Sequence, residues 1–321
     1  MKMRRLAALL LALVMLLTLA ACGKEETEEP QQPEEPVAED LPVEYPVELR
    51  GTIIKEEPDG VVSLSPALTE LMQEMGMGGV LEGVSDYCDS SLPKCGTPQK
   101  VDFEAIEESG ADLVVTSVEL ADDDLTRLLQ MNVDVLVLPR AASLEELETL
   151  YLDLGRAVMG DITGREMGEN LWNSFADRMA ALEERGQEYA DTLESAPTVI
   201  FLRMLDYTMA TGDTFEHRLL EKMGFKNLAE SYGDWNFPKD NAAQLAPTLI
   251  ISDDAITIPV LEKNEVYKGT QAVIKDQVVT VDMEAFERQT PRLLDELERV
   301  ADFLFDGVVE ARSAQDGGES I

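Results

Sequence analysis

Few residues in this sequence could carry out chemistry on their own. The 321 residues include one histidine, His217, and three cysteines, which is too few for a zinc finger or an iron–sulfur cluster. A Ser–His–acid triad would have to use His217, and no G-x-S-x-G motif precedes a helix in the chain. The sequence therefore favours a binding protein over an enzyme and predicts neither a metal site nor a cofactor. His217 itself falls in the first turn of an amphipathic helix and is expected on its solvent side.

Several polar and aromatic residues are better suited to binding. Arg203 stands within an apolar run, where an unpaired charge is rarely tolerated, so it either pairs with an acid or faces a cleft. Tyr207 and Trp235 are candidate aromatic walls, although such residues more often pack in a core. Ser65 and Pro66 begin a predicted helix directly after a strand, where free N–H groups could meet a ligand or could simply be capped.

The elements that would position these residues alternate between strand and helix. Near-continuous apolar strands in such an alternation favour α/β layers with mainly parallel sheets. The predicted strands are Val61–Leu64, Val80–Val84, Leu113–Thr116, Val133–Leu138, Val199–Leu202, Leu249–Ser252 and Val278–Val281. The predicted helices between them include Phe103–Ser109, Leu120–Met131 and Ser143–Met159.

The middle of the chain breaks this alternation. Residues 163–193 lack a strand pattern and carry apolar residues at helical spacing instead, namely Met167, Leu171, Trp172, Phe175, Met179 and Leu182. Such a helix would be about 45 Å long, more than one small lobe needs. We interpret it as a rigid interdomain helix at 162–194, between an N-terminal α/β lobe at 51–161 and a C-terminal α/β lobe at 195–310.

The N-terminus has the pattern of a secretory signal. Basic residues within 1–5 precede the apolar run Leu6–Leu19, which is too short for a comfortable transmembrane helix. The sequence Leu19-Ala20-Ala21-Cys22 resembles a bacterial lipobox, in which the cysteine is acylated. Residues 1–22 are therefore predicted to be a lipoprotein signal peptide, with Cys22 as the anchor that holds the protein at the outer face of the cytoplasmic membrane.

Composition predicts two segments without a packed core. Residues 23–50 are acidic and rich in proline, which predicts an extended tether. Residues 311–321 are polar and predict a disordered tail. The whole chain has 26 Lys plus Arg against 64 Asp plus Glu, a net charge of −38. Such a surface repels phosphate backbones, so no nucleic-acid partner is expected.

The two halves share one local pattern. Glu104 lies at the start of a predicted helix, eight positions before Asp112 and the strand that follows. Asp240 lies at a similar helix start, eight positions before Thr248 and the next strand. The repeated window is consistent with two similar lobes. An acid at a helix N-terminus is also favoured by the helix dipole alone, by about 0.3–1 kcal/mol.

Four segments carry a resemblance to a known family: VVSLSPALTELMQEMGMGGVLEGVSDYCD, KVDFEAIEESGADLVVTS, ATGDTFEHRLLEKMGFKNLAE and FERQTPRLLDELERVA. In this order and spacing they are similar to the solute-binding proteins that serve ATP-driven importers of cobalamin, haem and iron siderophores. The resemblance covers Gly51 to Phe305, and the cobalamin binders are most similar at SPALTEL and FERQTPR. It implies two Rossmann-like lobes joined by one long interdomain helix, with the ligand cleft between the lobes. Because the long helix resists bending, we expect only small lobe closure on binding.

The resemblance also implies a ligand and a set of contacts. Cobalamin or a related corrinoid is the leading ligand, and haem or a ferric siderophore is the alternative. Where Pro98 stands, the cobalamin binders have a large aromatic residue. Together with the local chemistry above, the resemblance predicts these ligand contacts: Ser65, Pro66, Ala67, Tyr87, Pro98, Gln99, Arg203, Tyr207, Trp235, Glu284, Phe286 and Arg288.

The same family implies a partner and an arrangement on the membrane. An acid at a helix start on each lobe pairs with basic residues of the permease, and Glu104 and Asp240 are the matching positions here. The protein would act as a lipid-anchored monomer beside the permease and its ATPase. Cys88 and Cys95 could form a disulfide near the cleft or could stay reduced.

Overall fold

A computed structural model describes residues 43–306 of the chain. The first sheet contains four parallel strands in the order β4-β3-β7-β8. Two short hairpins, β1–β2 and β5–β6, lie outside this sheet. The elements of the first lobe are β1 (Val47–Leu49), β2 (Thr52–Ile54), β3 (Val61–Ser63), α1 (Pro66–Glu74), β4 (Leu81–Val84), β5 (Gly96–Thr97), β6 (Lys100–Val101), α2 (Phe103–Ser109), β7 (Leu113–Thr116), α3 (Asp122–Gln130), β8 (Asp134–Val137) and α4 (Leu144–Met159).

The second sheet repeats this arrangement. Its four strands are also parallel and follow the order β10-β9-β11-β12. In each lobe the first strand of the sheet therefore lies between the second and the third, with the fourth at the edge. After the long helix α5 (Arg165–Ala190), the elements are β9 (Thr198–Leu202), α6 (Phe215–Lys222), β10 (Lys226–Asn227), β11 (Leu249–Asp253), α7 (Ile258–Leu261), α8 (Gln271–Ile274), β12 (Val278–Val281), α9 (Met283–Arg288) and α10 (Arg292–Ala301).

The strands form because nearly every residue in them can be buried. All four residues of β7 are buried, as are the first four of β11, which suits parallel strands covered by helices on both faces. One face of each sheet contributes to a separate outer core. The other faces join in one continuous apolar core that also includes residues of α4, α5 and α10. The two lobes therefore share a core and do not meet only at a loose hinge.

A helical hairpin supports this shared core. Helix α4 continues through a π-helical turn, Gly160–Gly164, into α5. A Cβ atom on Gly164 would lie 1.9 Å from the carbonyl oxygen of Gly155, so glycine is required where the two helices cross. Tyr151 of α4 packs edge-on against Trp172 and Phe175 of α5.

Helix α5 connects the two lobes. Its 26 residues correspond to about 39 Å at 1.5 Å per residue. It packs on α4 at its N-terminal half, and Arg178 pairs with Asp295 and Glu298 of α10 in the second lobe. The fold prediction, two α/β lobes with parallel sheets joined by a long helix, is confirmed. No helix among residues 43–306 is both long enough and apolar enough to cross a membrane.

The predicted tether is wrong at its C-terminal end. Val47 and Leu49 are buried in the shared core as part of β1, and Glu44 accepts hydrogen bonds from the backbone N–H groups of Ile162 and Thr163. The apolar–polar–apolar alternation at residues 47–49 buries one face of this short strand, although the composition of the whole segment is that of a spacer. The signal peptide, Cys22, most of the tether and the C-terminal tail lie outside the described residues.

Candidate functional site

The surface that the first lobe contributes to the candidate site, called the first wall below, begins where β3 ends. Ser65 caps α1: its hydroxyl accepts a hydrogen bond from the N–H of Leu68 at 3.5 Å, and Pro66 occupies the first helical position. The Ser65 side chain is buried, whereas Pro66 and Ala67 are partly exposed. At this point the structure shows a capped helix start, with Pro66 and Ala67 as the accessible surface.

Two further loops of the first lobe carry predicted ligand contacts. Tyr87 follows β4 and is 71% exposed, unusual for an aromatic residue in a packed domain. Pro98 and Gln99 form the turn between β5 and β6, and Gln99 is exposed. The thiol of Cys88 lies 3.5 Å from the Thr69 hydroxyl of α1, which places the Tyr87 loop beside that helix. Cys88 and Cys95 are both free thiols.

The second wall centres on Trp235, which the backbone holds in an uncommon conformation. Trp235 has φ of 59°, in the left-handed region that bulky residues seldom adopt. Its N–H donates to the Thr211 hydroxyl at 3.1 Å, and its carbonyl accepts from Met209 at 3.1 Å. Asp213 in turn accepts from the Thr211 hydroxyl and from the N–H of Asp234. These bonds fix the backbone at Trp235, whose side chain is partly buried. Backbone strain of this kind occurs often at binding sites.

Arg203 lies beside this tryptophan. Its guanidinium carbon is 5.6 Å from the Trp235 ring centroid, and it forms an ion pair with Glu287. Of the two alternatives that the sequence left open for Arg203, the structure shows pairing with an acid, and the side chain also lines the cavity described below. Tyr207 is partly buried in the same loop, with φ of 75°, and packs against the outer core of the second lobe.

Arg288 joins the two walls. Its guanidinium donates to Glu70 of α1 at 2.9 Å and to Glu284 of its own helix at 2.7 Å. Partial burial disfavours the charged form of Arg288, but the hydrogen bond and the charge of Glu70 outweigh it, so the pKa of the guanidinium is raised. Glu70 also accepts from the Thr290 hydroxyl at 2.6 Å, which makes it a point where both lobes meet.

A buried amide provides a second connection between the lobes. The side chain of Gln289 accepts from the N–H of Ala141 and donates to the Ala141 carbonyl, both at 2.8 Å. The carbonyl of Gln289 accepts from the Tyr151 hydroxyl at 2.8 Å. Gln289 is 1% exposed, so these bonds are shielded from water. This connection fixes the end of β8 against α9.

Beside this connection lies a cavity of about 260 Å³. Arg140, which follows β8, reaches across it to pair with Glu216 of α6 at 2.5 Å and to donate to the carbonyl of Phe286 at 3.1 Å. Glu216 is 1% exposed, and burial raises the pKa of its carboxyl despite the nearby Arg140. The cavity is lined by Arg140, Arg203, Glu216, Trp235, Met283 and Glu287.

The comparisons with known proteins agree with this geometry. The model of the family described as "Periplasmic binding protein" matches residues 61–285, well over half of the chain. This chain belongs to the periplasmic binding protein family. Members of the family bind solutes and are not enzymes.

The relatives of this periplasmic binding protein include proteins named for ABC transport, cobalamin binding and heme binding. It is 26% identical to the uncharacterized ABC transporter substrate-binding lipoprotein YvrC of Bacillus subtilis (strain 168), covering 93% of this chain and 96% of YvrC. It is 24% identical to a cobalamin-binding protein of Halobacterium salinarum, covering 85% and 78% of the two chains. The periplasmic heme-binding protein RhuT of Roseiflexus sp. RS-1 has the same fold, with a TM-score of 0.63, 19% identity and coverage of 77% and 98%.

Two sequence interpretations are corrected by this structure. The Phe286 side chain is 1% exposed and packs edge-on against Phe201, with ring centroids 5.0 Å apart, so it belongs to the core and not to the cleft surface. His217 is buried: its Nδ1 lies 3.3 Å from the Asn227 amide and its Nε2 lies 3.2 Å from Glu221. A polar partner on β10 allows the imidazole to be buried, and local sequence does not reveal that partner.

The structure also places at the candidate site several residues that the sequence did not indicate. Arg140 follows β8, so the rule that ligands gather at strand carboxyl ends could have identified it. Glu70, Glu216 and Gln289 carried no such signal, because each acts through a partner far away in sequence. Among residues 43–306, no group of three or more His, Cys, Asp and Glu side chains could hold a metal ion.

The two candidate docking acids are both exposed, but their local structures differ. Glu104 lies in the first turn of α2, which Asp102 caps by accepting a hydrogen bond from the N–H of Ala105 at 3.1 Å. Asp240 lies in a 3₁₀ turn, Lys239–Gln244, whose N-cap position is Pro238 and has no side-chain cap. The expected helix start in the second lobe is therefore a tighter, uncapped turn.

Proposed function

We propose that this protein is the substrate-binding component of an ABC importer and that it captures a corrinoid between its lobes. Membership of the periplasmic binding protein family supports the solute-binding role. The names of YvrC and of the Halobacterium cobalamin-binding protein support the importer and the ligand. The corrinoid itself rests mainly on the charge of the cleft.

The arginines of the candidate site are paired with acids. Arg140 pairs with Glu216, Arg203 with Glu287, and Arg288 with Glu70 and Glu284. Each guanidinium at the site is thus neutralised by at least one carboxylate, and the chain as a whole carries a net charge of −38. A surface of this kind suits a neutral ligand rich in hydrogen-bonding groups better than an anion. Cobalamin, whose corrin ring carries amide side chains, fits that description.

Haem is the second candidate, and one residue favours it. Haem iron in proteins takes an axial His, Cys, Met or Tyr ligand. His217 is buried and hydrogen-bonded, so it is a poor donor here, but the exposed phenol of Tyr87 could reach a ligand. Haem propionates would also need cations, and the arginines at this site already have acidic partners.

A ligand panel separates these candidates. The protein without its lipid is incubated with cobalamin, cobinamide, haem and ferric siderophores, desalted, and examined by absorbance spectroscopy. We expect one equivalent of cobalamin to be retained. Retention of haem alone, lost in Tyr87→Phe, would establish the alternative instead. Retention of none of the ligands would refute both.

We further propose that Cys22 carries the lipid anchor. The lipobox-like sequence and the name of YvrC as a lipoprotein support this. Cys22→Ser should abolish incorporation of radiolabelled palmitate and leave the protein in the soluble extracellular or periplasmic fraction or as uncleaved precursor. Equal palmitate incorporation into both proteins would refute the proposal.

Docking onto the permease is assigned to Glu104 and Asp240, one exposed acid on each lobe. Their equivalent positions support this, since helix stability alone does not require one acid on each lobe. Glu104→Ala combined with Asp240→Ala should leave ligand affinity unchanged while reducing transport and permease-stimulated ATP hydrolysis, with a smaller difference at high salt. The control replaces Glu107 and Glu262, which are also exposed, and should transport normally. Transport at the wild-type rate by the first double variant would remove both acids from docking.

A further inference from the structure

The cavity beside Trp235 contains a buried carboxylate with an unused oxygen. One oxygen of Glu216, Oε1, accepts from Arg140, but Oε2 is buried and has no hydrogen-bond partner among the described residues. A buried acceptor without a donor costs about 1–3 kcal/mol, and more if it is charged. Glu216 also lines the cavity. A ligand group that reached this oxygen and donated an N–H or O–H to it would therefore be stabilised.

The other residues that line the cavity limit which ligand group could bind there. Arg140 and Arg203 present only donors, while Glu216 and Glu287 present acceptors when ionised. A primary carboxamide matches both kinds of wall, because its oxygen accepts from a guanidinium and its NH₂ donates to a carboxylate. A carboxylate has acceptors only. It could accept from Arg140 and Arg203, but it would leave the Glu216 oxygen unsatisfied and would meet the like charges of Glu216 and Glu287.

We infer that this cavity is an amide-selecting subsite, which receives a primary carboxamide from the edge of the ligand and rejects the corresponding carboxylate. The inference rests on the proposed function, because it takes the amide-bearing corrinoid as the ligand. At about 260 Å³ the cavity has room for one ligand side chain and not for a corrin ring. Glu216 is then a specificity-determining residue, with Arg140 as its positioning partner.

The test compares cobalamin with its monocarboxylic acids, in which one peripheral amide has been hydrolysed to an acid. Dissociation constants are measured for the wild type and Glu216→Gln by equilibrium titration. The wild type should bind at least one monoacid isomer about tenfold or more weakly than cobalamin, because one charged hydrogen bond is lost. In Glu216→Gln the new side chain can donate to a carboxylate as well as accept, so most of this difference in affinity, called the affinity gap below, should disappear.

Two controls keep this result interpretable. Glu183→Gln removes one negative charge at an ion pair with Lys222, on residues that do not line the cavity, and should leave the affinity gap unchanged. If Glu216→Gln does not fold, as judged by its melting curve, Glu287→Gln on the exposed wall replaces it and should narrow the affinity gap.

Three outcomes would count against the inference, and they can be told apart. If the wild-type protein bound every monocarboxylic acid as tightly as cobalamin, the subsite would be refuted but the proposed function would not. The subsite alone would also be refuted if the difference in affinity between cobalamin and the monoacid persisted in folded Glu216→Gln. The same holds for Glu287→Gln if it is used as the replacement variant. A wild-type protein that binds no corrinoid would refute the proposed function and the subsite together.

Discussion

The two lobes share a strand order but differ in the connections that reach the surface. In the first lobe the segment before β7 is α2, with its cap at Asp102, whereas in the second lobe the segment before β11 is the uncapped turn Lys239–Gln244. The sheets agree because buried apolar strands leave few alternatives for their order. The connections are exposed and can differ, and the proposed docking acids lie on them.

The lobes also differ in what they contribute at the cleft. The second lobe provides the strained Trp235, Arg203 and Arg288, while the first provides Glu70 and Arg140. Most of the charged pairs at the cleft therefore cross from one lobe to the other or link different elements. From this difference we infer that the site depends on the fixed relation of the lobes, and the following predictions test that dependence.

The largest effect is expected at the crossing of α4 and α5. Gly164→Ala places a Cβ atom 1.9 Å from the carbonyl oxygen of Gly155, so the helices must move apart. We expect the free energy of unfolding to fall by about 2–4 kcal/mol and ligand affinity to fall with it. Gly79→Ala is the matched control, because nothing lies within 4 Å of its new Cβ. Equal denaturation midpoints for the two variants would contradict the close packing.

A smaller effect is expected at the buried amide between the lobes. Gln289→Ala removes both hydrogen bonds to Ala141 and leaves those backbone groups without a partner. Chemical denaturation should show a loss of about 2–3 kcal/mol. In Gln187→Ala, an exposed residue of α5 that bonds only to the neighbouring Asp191 side chain, the loss should be below about 0.5 kcal/mol. If Gln289→Ala is as stable as that control, this connection does not hold the lobes.

The two docking segments should differ in their sensitivity to capping. Asp102→Ala removes the N-cap of α2 and should lower stability by about 1 kcal/mol. Pro238→Ala, at the equivalent point of the second lobe, has no side-chain cap to lose and should cost less. The Ala105 N–H donates a hydrogen bond to the Asp102 side chain, so hydrogen exchange of this amide would report the local change. Equal effects at both positions would remove the difference between the lobes.

The smallest effect concerns pH. Hydrogen bonds from the N–H of Asp234 and from the Thr211 hydroxyl lower the pKa of Asp213 below 3.8. Because the folded-state pKa is the lower one, this stabilisation is present above pH 3.8 and is lost as the pH falls through the folded value. The melting temperature should therefore decline less steeply below pH 4 in Asp213→Asn than in the wild type. Parallel curves for the two proteins would show that Asp213 does not support the Trp235 loop.

Much of the fold could be predicted from sequence, because it depends on local patterns. The strands Leu113–Thr116 and Val278–Val281 and the helix Phe103–Ser109 have the bounds that their apolar patterns predicted. The error at Val47 and Leu49 arose because the composition of a long segment concealed a three-residue alternation. Local pattern was sufficient for the strands and helices whose buried residues can be read from the spacing of their apolar residues.

The candidate site could be predicted only in part. Arg203 and Trp235 were identifiable as unusual residues in their own segments. Glu216 and Gln289 were not, since Arg140 and Ala141 lie 76 and 148 positions away from them, respectively. Burial of His217 likewise depends on Asn227, which a helical pattern around the histidine does not reveal.

Tryptophan fluorescence tests most directly whether a corrinoid binds in the cleft at Trp235. The chain has two tryptophans, and Trp172 stacks on Phe175 in the helical hairpin, away from the cavity. In Trp172→Phe the remaining Trp235 should be quenched by cobalamin in a saturable manner with one equivalent bound. In Trp235→Phe, the matched control, quenching of Trp172 should be weaker. Emission from Trp235 that does not change on addition of cobalamin would contradict the account.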